Sequence, residues 1–224
     1  SYYFSCKFYV SSWGQDGHEG NEMEYNIMDD VKFYRCFPTT VGEFSYYPND
    51  IKVKDMIANI MAREKNHGYH TEDDLHTISY FDDFRNEVLN VSKIYMEDLK
   101  YEYDKLEITG MWATKLHVGE AHPPHTHSNN FLSGVYYLKA SGDTSPIQFF
   151  DPRPQANVLR PRNKPIWKNS SMLQFNSVTG MGFIFPAWLM HWVPATQNER
   201  ISISWNILVR GNYGEANTLQ NAYI

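Results

Sequence analysis

Two hydrophobic periods divide the chain near residue 105. Before that point, apolar residues recur at helical spacing. In PNDIKVKDMIANIMAREKNHG, Val53, Met56, Ile57, Ile60 and Met61 follow the i, i+3, i+4 rule, Asn49 or Asp50 can cap the start, and Gly68 is placed to stop the helix. A second helix is predicted over YFDDFRNEVLNVSKIYMEDL, with Phe84, Val88, Val91 and Tyr95 on one face. Beyond residue 105 the period changes. Short runs rich in Val, Ile, Tyr, Trp and Phe alternate with turn residues: LEITGMWATKLHV, FLSGVYYLKA, PIQFFD, SMLQFNSV, MGFIFP and RISISWNILV. With no helical period between them, they predict an antiparallel sandwich or barrel of about eight strands. The expected fold class is mainly β with supporting helices (α+β).

The expected organisation is a single domain of residues 1–224, a length that can bury a real core. Residues 1–33 form an aromatic-rich, then polar, N-terminal extension with room for one strand. Residues 34–105 supply helical support, 106–210 the β core, and 211–224 a tail without strong pattern.

Composition narrows the function. Hydrophobic residues make up 42%, aromatic 16% and charged 21%, a globular balance. A net charge of -6 argues against a general nucleic-acid binder, while leaving room for a local basic pocket. No apolar run approaches the roughly 20 residues of a membrane span, and the first residues lack a signal-peptide pattern. Cys6 and Cys36 form no CxxC pair, which fits a reducing cytoplasm. Any metal would therefore need imidazole and carboxylate ligands.

The stretch HPPHTHSNN supplies imidazoles. In an extended chain, residues i and i+2 point the same way, so His125 and His127 share a side, whereas His122, three positions earlier, is expected on the other. Pro123 and Pro124 favour an extended segment. His191 in FPAWLMHWVPA is a distant third candidate. Two ligands from one segment and a third from a distant strand make a facial triad, leaving three coordination positions for substrate. His18, His67, His70 and His76 stand alone and carry no such signal. In ERISISWN, Arg200, Ser202 and Ser204 alternate with Ile201, Ile203 and Trp205. That strand could aim a guanidinium and a hydroxyl at a bound carboxylate, or turn a polar face to solvent. Asp151 and Arg153 in FFDPRP could orient a substrate, although Pro152 and Pro154 favour a turn.

Together, HTH, the later His191 and the RIS nine residues on resemble the 2-oxoglutarate- and iron(II)-dependent dioxygenases. More narrowly, FPTTV, LHTISYF, HTHSNNFLSGVYYL, IQFFDPRP, GFIFPAWLMHWV and RISISWN are similar to a group of 2OG-Fe(II) oxygenases of bacteria and marine phages, over roughly residues 34–210. The resemblance implies a double-stranded β-helix (jelly roll) with Fe(II) and 2-oxoglutarate as cofactors. By position it implies His125 and His191 as metal ligands, Arg200 helped by Ser202 on the cosubstrate's distal carboxylate, and Tyr136 or Tyr137 adding a hydroxyl. His127 stands where the wider superfamily has a carboxylate and is expected to be the third ligand, with His122 outside the first shell. Asn130, Asp151 and Arg153 are weaker candidates for substrate contact.

The implied reaction couples oxidation of a C–H bond to decarboxylation of 2-oxoglutarate. The expected partners are 2-oxoglutarate and O2, with a peptidyl, prolyl or small-molecule substrate, no membrane and no duplex DNA. A homodimer is left open, as is a host cytoplasm for a phage-encoded chain. Two alternatives stand beside this reading: a three-His, cupin-like metal dioxygenase that needs no 2-oxoglutarate, and a non-catalytic ligand-binding or structural β-sandwich.

Overall fold

The computed structural model describes residues 33, 36–63, 70–142, 144–159, 161–215 and 217–224. Cys6, His18, His67, Gly68 and nearly all of the N-terminal extension lie outside the described residues. The chain divides into two compact units, Ser1–Thr39 and Thr40–Ile224, and every element below belongs to the second.

Both predicted helices form. In α1 (Asp50–Ala62) the Asn49 side chain accepts from the Lys52 backbone N–H at 2.9 Å, satisfying one orphan donor of the first turn. In α2 (Asp82–Asp98), Asp82 and Asp83 place negative charge at the positive end of the helix. Two 3-10 turns, Leu75–Thr77 and Ser79–Phe81, lead into α2 and bury Leu75 and Phe81.

The strands form two sheets. The major sheet has the order β1-β7-β4-β9-β2, from Gly42–Ser45, Met181–Pro186, Leu132–Lys139, Arg200–Arg210 and Lys105–Leu116. The minor sheet has the order β3-β8-β5-β6, from His122–His125, His191–Val193, Ile147–Phe150 and Met172–Phe175. The pairings within these two sheets are antiparallel among the described residues. The architecture is a jelly roll. The tail adds a short ladder of β10 (Asn212–Tyr213) with β11 (Ala222–Tyr223), which its sequence does not announce.

Alternation along the strands explains two cores. The outer face of the major sheet packs on the helices, where Met56, Ile60, Phe84 and Val88 meet Tyr136, Ile203 and Trp205. The inner face sends Val135, Tyr137, Phe183 and Phe185 toward Ile147, Phe149 and Leu189 of the minor sheet side. Because β4 is covered on both faces, it reads as a continuous buried run rather than an alternating one. At Gly134 the Trp205 indole and the Phe183 carbonyl approach so closely that a Cβ would meet both.

Candidate metal centre

Three imidazoles meet between the sheets. His125 ends β3 and His191 opens β8, directly across the ladder from each other. Phe149 of β5 flanks His191 on its other side. His127 lies just past β3, where its backbone N–H donates to the Ala187 carbonyl at 2.9 Å. One ligand-capable atom of each of His125, His127 and His191 lies within 4.8 Å of the others.

The hydrogen bonds set the ring orientations. His125 Nδ1 is 2.8 Å from the Pro123 carbonyl, and His191 Nδ1 is 2.8 Å from the Leu189 carbonyl. A carbonyl only accepts, so both Nδ1 atoms carry the proton and both Nε2 atoms keep a lone pair. His127 Nε2 stands 3.4 Å from His191 Nε2. Lone pairs brought this close need a proton or a cation among them, and a metal ion satisfies all three rings at once. The residues present therefore fit a divalent metal.

Burial keeps these rings neutral. Desolvation first, with neighbouring imidazoles adding to it, holds His191 down at about 3, against the partial lift of its Leu189 hydrogen bond, and His127 at about 4, where the ordinary value is 6.5. His125 is also lowered, again by burial first. Neutral imidazole is the ligating form.

A cleft runs from this cluster into the barrel. At its far end lies Arg200, the first residue of β9 and only 3% exposed. Its Nη1 donates to the Ser145 carbonyl at 2.9 Å, its guanidinium lies 5.0 Å from the Tyr137 ring centre, and its Nε has no partner. Burial pulls its pKa below the ordinary value, partly offset by Tyr137. Ser202 and Ser204 line the same cleft, so the polar face of β9 turns into the barrel and not to solvent. The Tyr137 hydroxyl is fully buried and also lacks a partner.

Several expectations change. Tyr136 cannot serve the cleft. It points to the opposite face from Tyr137, and its hydroxyl donates to the Tyr46 carbonyl at 2.8 Å in the helix-side core. His122 was expected to face away, yet it lines the cleft, with its ring 4.3 Å from that of His125. A register irregularity between His122 and His125 cancels the odd spacing. Asn130 is engaged by the Thr109 hydroxyl and by the Ser128 carbonyl, and does not line the cleft. Asp151 accepts from the Arg153 backbone N–H and from its guanidinium, closing a turn outside the cleft lining. Trp112, Thr114 and Leu116 of β2 also line the cleft. Their i, i+2, i+4 spacing in MWATKL is the sequence signal that places them on one face of β2.

Residues 110–206 match the family described as "Putative 2OG-Fe(II) oxygenase". No curated protein matches the chain. Among solved structures, it is similar to a Pseudomonas putida prolyl-4-hydroxylase at 13% identity and a TM-score of 0.54, over 77% of this chain and 94% of that one. The viral collagen prolyl hydroxylase of Paramecium Bursaria Chlorella virus-1, solved with 2OG, gives 12% identity and 0.53, over 76% and 96%. The non-heme alpha ketoglutarate-dependent epimerase of nogalamycin biosynthesis gives 10% and 0.58, over 81% of each chain. At these identities the structural likeness establishes the fold alone.

Proposed function

We propose that this chain, a 2OG-Fe(II) oxygenase by the family of its residues 110–206, holds Fe(II) on His125, His127 and His191 and binds 2-oxoglutarate with Arg200 and Ser202. When bound, the iron and the oxo-acid supply oxidising power from O2 for attack on a C–H bond, and the oxo-acid leaves as succinate and CO2. The observation that carries this reading is the pairing of the imidazole cluster with Arg200, a buried cation that no described carboxylate answers. A dicarboxylate reaching from the metal to Arg200 would supply the missing charge.

The chain's own residues position and exclude. The carbonyls of Pro123 and Leu189 fix His125 and His191 with Nε2 inward. Arg200 offers a guanidinium fork, Ser202 a hydroxyl, and Tyr137 a second hydroxyl without a partner in the fold. Phe185, Val135 and Ile147 shield the cleft wall from water. Three neutral imidazoles leave the complex one negative charge short of a site with a carboxylate, so more of the neutralisation falls to the cosubstrate.

The favoured outcome is hydroxylation of a peptidyl, prolyl or small-molecule substrate. Two similar folds are named prolyl hydroxylases and a third an epimerase, so the oxidative outcome is the finer part of the proposal. A reducing cytoplasmic setting suits the two cysteines. Incubation with Fe(II), 2-oxoglutarate and O2 tests the reading. Release of succinate supports it, and oxidation of a substrate without 2-oxoglutarate would favour the three-His alternative.

A further inference from the structure

The segment between β5 and β6, residues 151–171, contains one 3-10 turn, Pro154–Asn157, and no strand among its described residues. Its charge opposes that of the chain. In sequence it carries Arg153, Arg160, Arg162, Lys164 and Lys168 against one acid, Asp151, within a chain of net charge -6. Its apolar residues turn outward: Val158 and Leu159 are 76% and 85% exposed, Ile166 and Trp167 53% and 66%. Large side chains left in water contribute little to the fold, and a cluster of them marks a surface awaiting cover. Pro152, Pro154, Pro161 and Pro165 restrict the backbone, which lowers the entropy lost on docking.

Both roots of this segment lie at the metal end of the barrel. Phe149 pairs with His191, Phe150 pairs with Met172, and the Phe150 N–H donates to the Met190 carbonyl at 3.0 Å. The neighbouring turn exposes Trp188 and Met190. That turn is tied to the His127 loop by the bonds from His127 N to Ala187 O and from Ala187 N to Phe131 O. The roots of the segment, the turn and the ligand loop therefore share the end of the barrel that carries the three imidazoles, away from Arg200.

We propose that this rim docks an acidic stretch of polypeptide and presents it to the cleft, an inference that rests on the oxygenase reading above. Arg153 is already neutralised by Asp151 and holds the root of the segment. Arg162 and Lys164 are exposed and offer charge to an anionic partner. Val158, Leu159, Ile166 and Met190 offer aliphatic contact, which suits side chains such as leucine. Binding of single-stranded nucleic acid depends on rings that stack on bases, and the patch is mostly aliphatic.

The test is fluorescence anisotropy on the full chain loaded anaerobically with Fe(II) and 2-oxoglutarate. The probes are a fluorescein-labelled peptide of repeating Glu-Leu-Glu-Pro, its Lys-Leu-Lys-Pro counterpart, and an oligothymidylate. The acidic peptide should bind about tenfold tighter than either control, and more weakly as salt is raised. Arg162→Glu combined with Lys164→Glu should weaken it about tenfold or more, and Trp167→Ser should weaken it as well. Neither change should alter the slow succinate release expected without peptide once O2 is admitted. Equal binding of both peptides, tighter binding of the oligothymidylate, or unchanged affinity after charge reversal would overturn the docking proposal. No succinate from the wild-type chain would instead overturn the oxygenase reading, so the two failures are separable.

Discussion

Replacing Arg200 by methionine should separate what the fold needs from what a ligand needs. The guanidinium is 3% exposed, donates to the Ser145 carbonyl, lies beside the Tyr137 ring, and leaves Nε without a partner. A buried cation without an anion costs several kcal/mol of desolvation, and a neutral side chain of similar volume is often tolerated or stabilising in its place. The ligand-free Arg200→Met variant should therefore melt at or above the wild-type temperature. Its affinity for 2-oxoglutarate should fall by about 2–3 kcal/mol, the worth of a charge-assisted pair, or about 30- to 150-fold in Kd. Calorimetric titration of the metal-loaded protein measures this directly. Thermal melts give a second readout: at about a hundredfold excess over the wild-type Kd, 2-oxoglutarate should stabilise the wild type by about 2.7 kcal/mol and the variant by only about 0.3–0.9 kcal/mol. A variant that melts far below wild type without ligand, yet binds 2-oxoglutarate normally, would make Arg200 a structural residue and refute the reasoning.

His127→Ala should weaken Fe(II) binding by more than about a hundredfold, since one of three proposed ligands is lost, whereas His127→Asp should retain iron and some succinate release. His122→Ala should change iron affinity by less than about threefold. Wild-type iron affinity in His127→Ala would move the third ligand elsewhere, with His122 the next candidate. The metal-free protein should lose stability as pH falls. His191 and His127 stay neutral in the fold down to about 3 and 4 but take up protons near 6.5 when unfolded, so their contribution is complete above 6.5 and declines from there toward 4. Melting temperatures that hold steady from pH 7 to pH 4 would contradict those shifts. Gly134→Ala should cost about 1–3 kcal/mol by overpacking, because its Cβ would meet the Trp205 indole and stand 2.8 Å from the Phe183 carbonyl; an unchanged melting temperature would show that β4 can yield.

Local period made most of the fold legible. The α1 and α2 stripes were readable because each helix buries one face, and the six strong strand runs were readable because Val, Ile and aromatic residues fill the faces that the two sheets bury. The short strands β1, β10 and β11 fall outside the predicted runs, since their few residues of mixed polarity give no period to count, whereas β3 and β8 were expected as extended segments only because they carry the candidate ligands. The site was partly legible for the same reason. The alternation of β9 separated Arg200 and Ser202 from Ile201 and Ile203, and the structure turns the first pair into the cleft. Parity failed at His122, where an irregular ladder reverses the expected side. For Tyr136 and Tyr137 parity says only that they face opposite ways. Which one looks inward depends on how the whole sheet lies between helices and barrel, a long-range fact that no short window contains.

The central claim is that one barrel holds iron and 2-oxoglutarate together, the first on the imidazoles and the second reaching to Arg200. Anaerobic titration tests it most directly: Fe(II) is added first and 2-oxoglutarate second, while the visible charge-transfer absorption of the chelate is followed. One equivalent of each should saturate the band, with no band from His191→Ala and a weak one at the same ligand concentration from Arg200→Met. Tight iron binding without any 2-oxoglutarate-dependent band, or a full band from His191→Ala, would contradict it.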